Sequence, residues 1–73
     1  MIIGVPKEVK DHEARVALVP SGVEPLVSGG HRVVVQSGAG LGSGISDADY
    51  VEFGAEILPT AGEVWQAADL VIK

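Results

Sequence analysis

Arg32-Val33-Val34-Val35-Gln36 decides the fold of this chain. Three consecutive valines bounded by polar residues read as a strand, because β-branched side chains fit a pleated, packed surface. Upstream, a helix is predicted over about Gly22 to Val27, with Val23, Leu26 and Val27 on one face. Ser21 is placed to cap it, and Glu24 three positions on completes an S-x-x-E capping box. Pro20 suits a chain entering a helix; Pro25 is awkward in a helix interior and tolerable only in the first turn. Ser28-Gly29-Gly30 closes the helix, since glycine accepts the left-handed C-terminal position. Further back, Met1 to Val5 is a second strand, apolar on two faces and stopped by Pro6. Strand, helix and strand in this order make a β-α-β unit, normally parallel and right-handed.

Downstream of Gln36 lies Ser37-Gly38-Ala39-Gly40-Leu41-Gly42-Ser43-Gly44. A second helix follows, capped by Ser46, with Asp47 and Asp49 in the first turn where the helix dipole favours acid. Tyr50, Val51 and Phe53 are its predicted buried side, and Gly54 its end. Ala55 to Leu58 reads as a short strand stopped by Pro59. Thr60 caps a third helix, with Glu63 three positions later and Val64, Trp65 and Ala68 directed at the sheet. Leu70 to Lys73 is the last strand. The order β-α-β-α-β-α-β with short links predicts an α/β fold: an open parallel sheet with flanking helices.

Seventy-three residues make at most one small domain. Such a chain is marginally stable by itself, and cysteine is absent, so no disulfide reinforces it. Yet 47% of the residues are hydrophobic, a core-rich composition. With an apolar β run at its very end, the chain reads as part of something larger or as one layer of an oligomer. A net charge of −5 and five scattered basic residues argue against nucleic acid and anionic membrane as partners. No apolar run is long enough to span a bilayer, and no basic region followed by a long apolar segment marks a signal peptide. Absence of cysteine is compatible with the cytosol.

Several features invite chemistry. The glycine run follows a strand and precedes a helix, the setting of a dinucleotide fingerprint. Its register fails, because the sixth position is Ser43 counted from Gly38 and Ile45 counted from Gly40. The favoured reading is a turn whose glycines let the backbone run close to other parts of the chain. Arg15 follows the charged loop Lys7-Glu8-Val9-Lys10-Asp11-His12-Glu13 and has apolar neighbours Ala14, Val16, Ala17 and Leu18. Its guanidinium either clamps a ligand carboxylate or pairs with Glu8 or Glu13. Lys7 and Glu8 directly follow the first strand, where open parallel sheets collect ligands. His12 reads as a surface histidine rather than a general base, His31 as structural, and Trp65 as core. No metal cluster, Ser-His-Asp grouping or paired-carboxylate spacing stands out.

Gly4-Val5-Pro6-Lys7-Glu8, Glu13-Ala14-Arg15-Val16-Ala17-Leu18 and Pro20 resemble the opening of alanine dehydrogenase. So do Gly38-Ala39-Gly40-Leu41-Gly42-Ser43-Gly44, Ser46-Asp47-x-Asp49-Tyr50 and Val64-Trp65. The proton-translocating nicotinamide nucleotide transhydrogenase starts similarly but usually lacks the Gly-Leu-Gly-Ser-Gly run. The resemblance implies NAD-dependent interconversion of L-alanine with pyruvate and ammonia, by a two-domain enzyme that commonly forms hexamers in the bacterial cytoplasm. It implies that residues 1–73 are the N-terminal part of the catalytic, substrate-binding domain. The Rossmann domain that binds NAD would lie outside this chain. By position, Arg15 matches the family arginine that binds the pyruvate carboxylate, which turns the balance toward the clamp. A substrate-binding lysine falls just past Lys73, and the catalytic histidine and aspartate lie further on. The expectation is therefore one substrate contact here, Arg15, with no catalytic, cofactor-binding or metal-binding residue, and no activity from the 73 residues alone. The alternatives are a transhydrogenase domain that binds NAD but no amino acid, and a non-catalytic α/β module in which Arg15 is structural.

Overall fold

The computed structural model describes residues 1–7 and 18–72. Its elements are β1 (Ile2–Val5), α1 (Pro20–Ser28), β2 (Arg32–Gln36), α2 (Asp47–Glu52), β3 (Glu56–Leu58), α3 (Ala61–Ala67) and β4 (Leu70–Val71). A short 3-10 turn, Leu41–Ser43, interrupts the glycine run. The strands form one parallel sheet in the order β3-β2-β1-β4. The open parallel α/β architecture read from the sequence is the one observed.

Alternation along the central strands sorts the side chains onto two faces. Ile3 and Val5 of β1 pair in register with Val33 and Val35 of β2. These four meet Val23 of α1 and Tyr50 of α2 in the main core, with Leu26, Val27, Ile45 and Ile57 packed around it. Gly4 and Val34, also paired, point the other way. There α3 covers them: a Cβ on Gly4 would lie 2.6 Å from Ala68 Cβ and 2.9 Å from Val64 Cγ1. Helices therefore lie on both faces, and both central strands are buried, as a parallel sheet requires.

Helix ends follow local chemistry. Ser46 and Asp49 form a reciprocal capping box on α2: Asp49 N–H donates to Ser46 Oγ at 3.2 Å, and Ser46 N–H donates to Asp49 Oδ2 at 3.0 Å. Thr60 Oγ1 accepts from Glu63 N–H at 3.2 Å to start α3. At the end of α1, Gly30 takes the left-handed conformation (φ 91°), which brings Gly30 N–H to Val27 C=O and His31 N–H to Leu26 C=O. Gly54 (φ 104°) ends α2 by the same pair of bonds, Gly54 N–H to Val51 C=O and Ala55 N–H to Tyr50 C=O.

Three expectations are corrected. The Ser21–Glu24 box does not form, because α1 begins at Pro20 with Val19 as its uncapped N-cap. Proline's fixed φ and missing N–H suit the first helical position, which puts Ser21 inside the helix rather than before it. Pro25 stands in the interior, where it removes the donor for the Ser21 carbonyl; both residues are exposed. The predicted buried side of α2 shrinks to Tyr50, with Val51 54% and Phe53 36% exposed. A six-residue helix aims little more than one side chain at the sheet. Trp65 is not core either: Val64 takes the inward direction on α3, and Trp65, one position round, is 49% exposed.

Candidate functional site

In an open parallel sheet the carboxyl ends of all strands share one edge, and ligands gather there at the point where strand order reverses. Here the chain steps outward from β1 to β2 to β3, then returns to place β4 on the far side of β1. The reversal lies between β1 and β4. It is flanked by Pro6 and Lys7, which follow β1, and by Ile72, which follows β4 and donates its N–H to Gly4 C=O at 2.9 Å.

Two side chains from neighbouring elements hold the connection that leaves β1. Pro6 has no N–H, so the first donor after the strand belongs to Lys7. The backbone ladder to β2 has ended by then, at Val5 opposite Val35. The Gln36 side chain takes over, its Oε1 accepting the Lys7 N–H at 2.7 Å. Where the connection returns, the Tyr50 hydroxyl donates to Leu18 C=O at 2.8 Å. The Tyr50 side chain is fully buried. Burial, and to a smaller degree the negative charge of Asp47, raises its pKa above the ordinary tyrosine value. The hydroxyl therefore keeps its proton, and its donor role, across neutral pH.

Between β2 and α2 runs the glycine-rich segment. Asp47 fixes it: its carboxylate accepts from Gly38 N–H at 2.9 Å and from Ser37 Oγ at 2.7 Å. Those two bonds, the backbone one foremost, hold the Asp47 pKa below the ordinary carboxylate value. Gly40 lies against Ile45 and the Tyr50 ring, where a Cβ would approach within 2.8 and 2.9 Å. This is the close backbone approach read from the sequence. The segment does not suit a dinucleotide pyrophosphate. Its Gly38 donor is taken by a carboxylate, and two acids stand at the helix start where a phosphate would sit.

Of the sequence-predicted residues, Arg15 lies outside the described residues, as do Glu8, His12, Glu13 and Lys73. Lys7 is exposed at the strand-order reversal. His31, between α1 and β2, is half-buried, with Nδ1 buried and without a hydrogen-bond partner. Far from the reversal, Arg32 makes a bidentate pair with Glu56 across the starts of β2 and β3, at 2.8 and 3.0 Å. That mutual bond raises the arginine pKa and lowers that of the glutamate. Among the described residues no group of three or more His, Cys, Asp or Glu side chains is placed to hold a metal. Sequence reasoning did not single out Gln36 or Asp47, and it assigned Tyr50 to the core alone. The available signals were a polar residue ending an apolar run and a phenol in a buried position, which needs a partner for its hydroxyl.

Residues 4–73 match the family model described as alanine dehydrogenase/PNT, N-terminal domain. The chain belongs to this family. An alanine dehydrogenase of Methanococcus maripaludis is 58% identical over all 73 residues, which make up 20% of that relative. One from Bacillus subtilis is 56% identical, the whole chain covering 19% of it. Among solved structures, an L-alanine dehydrogenase superposes with a TM-score of 0.96 at 48% identity, over the whole chain and 20% of that protein. A transhydrogenase from Sinorhizobium meliloti gives a TM-score of 0.89 at 41% identity, over 97% of this chain and 21% of its own. The chain thus spans about a fifth of the length of the alanine dehydrogenase/PNT relatives it matches. No helix among the described residues is long and apolar enough to cross a membrane.

Proposed function

We propose that the protein to which these residues belong is an NAD-dependent alanine dehydrogenase. It would interconvert L-alanine with pyruvate and ammonia. The observation that carries this reading is the 58% identity to an alanine dehydrogenase over the whole chain. The transhydrogenase alternative draws on the same fold but with lower identity and a lower TM-score. In this reading residues 1–73 are the N-terminal part of the substrate domain, and Arg15 grips the substrate carboxylate. A planar guanidinium offers two parallel donors and fixes the plane of a small keto acid for hydride transfer. Lys7, at the carboxyl end of β1 beside the strand-order reversal, opens the connection that carries Arg15, which suits that role. NAD supplies hydride chemistry and is held by a domain outside this chain, in keeping with the occupied donors of the glycine segment. The working form is a cytoplasmic hexamer, and the 73 residues alone are inactive.

The test is NADH oxidation by the full-length protein with pyruvate and ammonium, beside the Arg15→Lys variant. Turnover with a raised pyruvate KM supports the reading. Transfer of hydride between NADH and an NADP analogue, without alanine activity, would favour the transhydrogenase. An unchanged KM in Arg15→Lys would make Arg15 structural.

A further inference from the structure

We propose that Lys7 is a positioning residue for the keto acid. Its ammonium draws the pyruvate anion to the crevice where strand order reverses, between the carboxyl ends of β1 and β4. The inference rests on the reading of the full-length protein as an alanine dehydrogenase and deepens it.

Charge is sorted along the carboxyl edge of the sheet. In the order β3-β2-β1-β4, the connections that leave β2 and β3 lead into acidic helix starts. Asp47 and Asp49 open α2, and Glu63 stands in the first turn of α3. The first residue past β1 and Pro6 is instead a cation, Lys7. The other described basic residue, Arg32, begins β2 at the opposite edge and is bound twice by Glu56. Asp69, just before β4, also lies at that opposite edge, where its carboxylate accepts the Ile2 N–H at 2.8 Å. Among the described residues no carboxylate forms an ion pair with the Lys7 ammonium. An anion approaching the carboxyl edge therefore meets repulsion at the β2–β3 half and attraction at the reversal.

The backbone beneath that charge is fixed. Pro6 is buried and has no N–H, and the Lys7 N–H donates to Gln36 Oε1 at 2.7 Å. Across the crevice, Ile72 N–H reaches Gly4 C=O at 2.9 Å, so β1 and β4 stay paired up to the point where the crevice opens. Lys7 itself is exposed. An ammonium on a four-carbon stem acts as a point charge: it raises the local concentration of an anion without dictating the anion's plane. Its effect is electrostatic, visible in substrate affinity and screened by salt.

The experiment uses the full-length protein with saturating NADH and ammonium. It measures pyruvate KM and kcat for the parent, Lys7→Met and Lys7→Arg at two NaCl concentrations. These are about 0.1 M and about 1 M, where the screening length is about 10 Å and about 3 Å. Methionine keeps most of the stem without the charge; arginine keeps the charge. At the lower salt the pyruvate KM of Lys7→Met is expected to rise about three- to tenfold, the scale of one partly solvated charge pair, with kcat held. At the higher salt Lys7→Met is expected to converge on the parent, and Lys7→Arg to track the parent at both. The inference is overturned if Lys7→Met leaves the pyruvate KM unmoved, or if its excess persists undiminished at the higher salt. It is equally overturned if Lys7→Arg is as impaired as Lys7→Met, or if kcat falls while KM holds. A full-length protein that does not turn over pyruvate and ammonium sinks instead the reading on which the inference rests.

Discussion

The Tyr50 hydroxyl and the Leu18 carbonyl meet at 2.8 Å, joining α2 to the segment that leads into α1. The ring beneath that hydroxyl is fully buried against the central strands. One side chain therefore fills the core and fastens a connection at the same time. A phenylalanine would supply only the first of these. Tyr50→Phe should destabilise the fold by about 1–3 kcal/mol, the usual cost of leaving a partly buried carbonyl without its donor. Urea unfolding of the two proteins measures it. A difference near zero would show that solvent reaches Leu18 and replaces the hydroxyl.

The same phenol gives a pH signature. Burial first, and Asp47 second, raise its folded pKa above the ordinary value of 10.0. Between those two values the folded state keeps a proton that the unfolded state has lost, so stability falls as pH rises. The contribution is complete below about pH 10 and disappears as pH climbs through the folded value. Tyr50→Phe lacks this component. The stability gap between parent and variant should narrow through the alkaline limb, and a gap constant to pH 11 would contradict the assignment.

Asp47 predicts the opposite limb. The Gly38 N–H and then the Ser37 hydroxyl lower its folded pKa below the ordinary 3.8. The stabilisation is present above that ordinary value and is lost as pH falls through the lower folded one. Asp47→Asn should be less stable than the parent at neutral pH and converge with it in acid. Thermal midpoints measured from neutral pH down to about pH 2.5 read this directly. Parallel curves would mean that the carboxylate charge contributes nothing to holding the glycine segment.

What was legible in the sequence is what short-range chemistry decides. The valine triplet gave β2 with its bounds, and Ser46 gave the cap of α2. The start of α1 was misread because two local signals competed. Pro20 at the first helical position outweighed Ser21 as a cap. Trp65 was misread because the helical phase of a seven-residue element is settled by which side chain the sheet accepts, and it accepts Val64. The frame of the candidate site was illegible for a different reason. Strand order, the Gln36 bond to Lys7 and the Tyr50 bond to Leu18 all join residues far apart in the chain. No periodicity records such a pairing. Arg15 came from family resemblance and lies outside the described residues.

Two glycines make the last prediction, one substitution with opposite signs. At Gly40 an added Cβ would stand 2.8 Å from Ile45 Cβ, 2.9 Å from Tyr50 Cε2 and 3.0 Å from the Ile45 carbonyl. None of these neighbours can yield cheaply. Ile45 is tied back by its own N–H to the Gly40 carbonyl at 2.9 Å, and Tyr50 is held in the core and at Leu18. Gly40→Ala should therefore cost about 1–3 kcal/mol, as overpacking does. At Gly62, inside α3, the added methyl meets nothing within 4 Å. There alanine only narrows the unfolded ensemble and favours the helix, a gain of about 0.4–1 kcal/mol. Denaturant midpoints of the two variants should fall on opposite sides of the parent. If Gly40→Ala is neutral, the glycine segment has room to shift, and Asp47 does not hold it as firmly as its two hydrogen bonds imply.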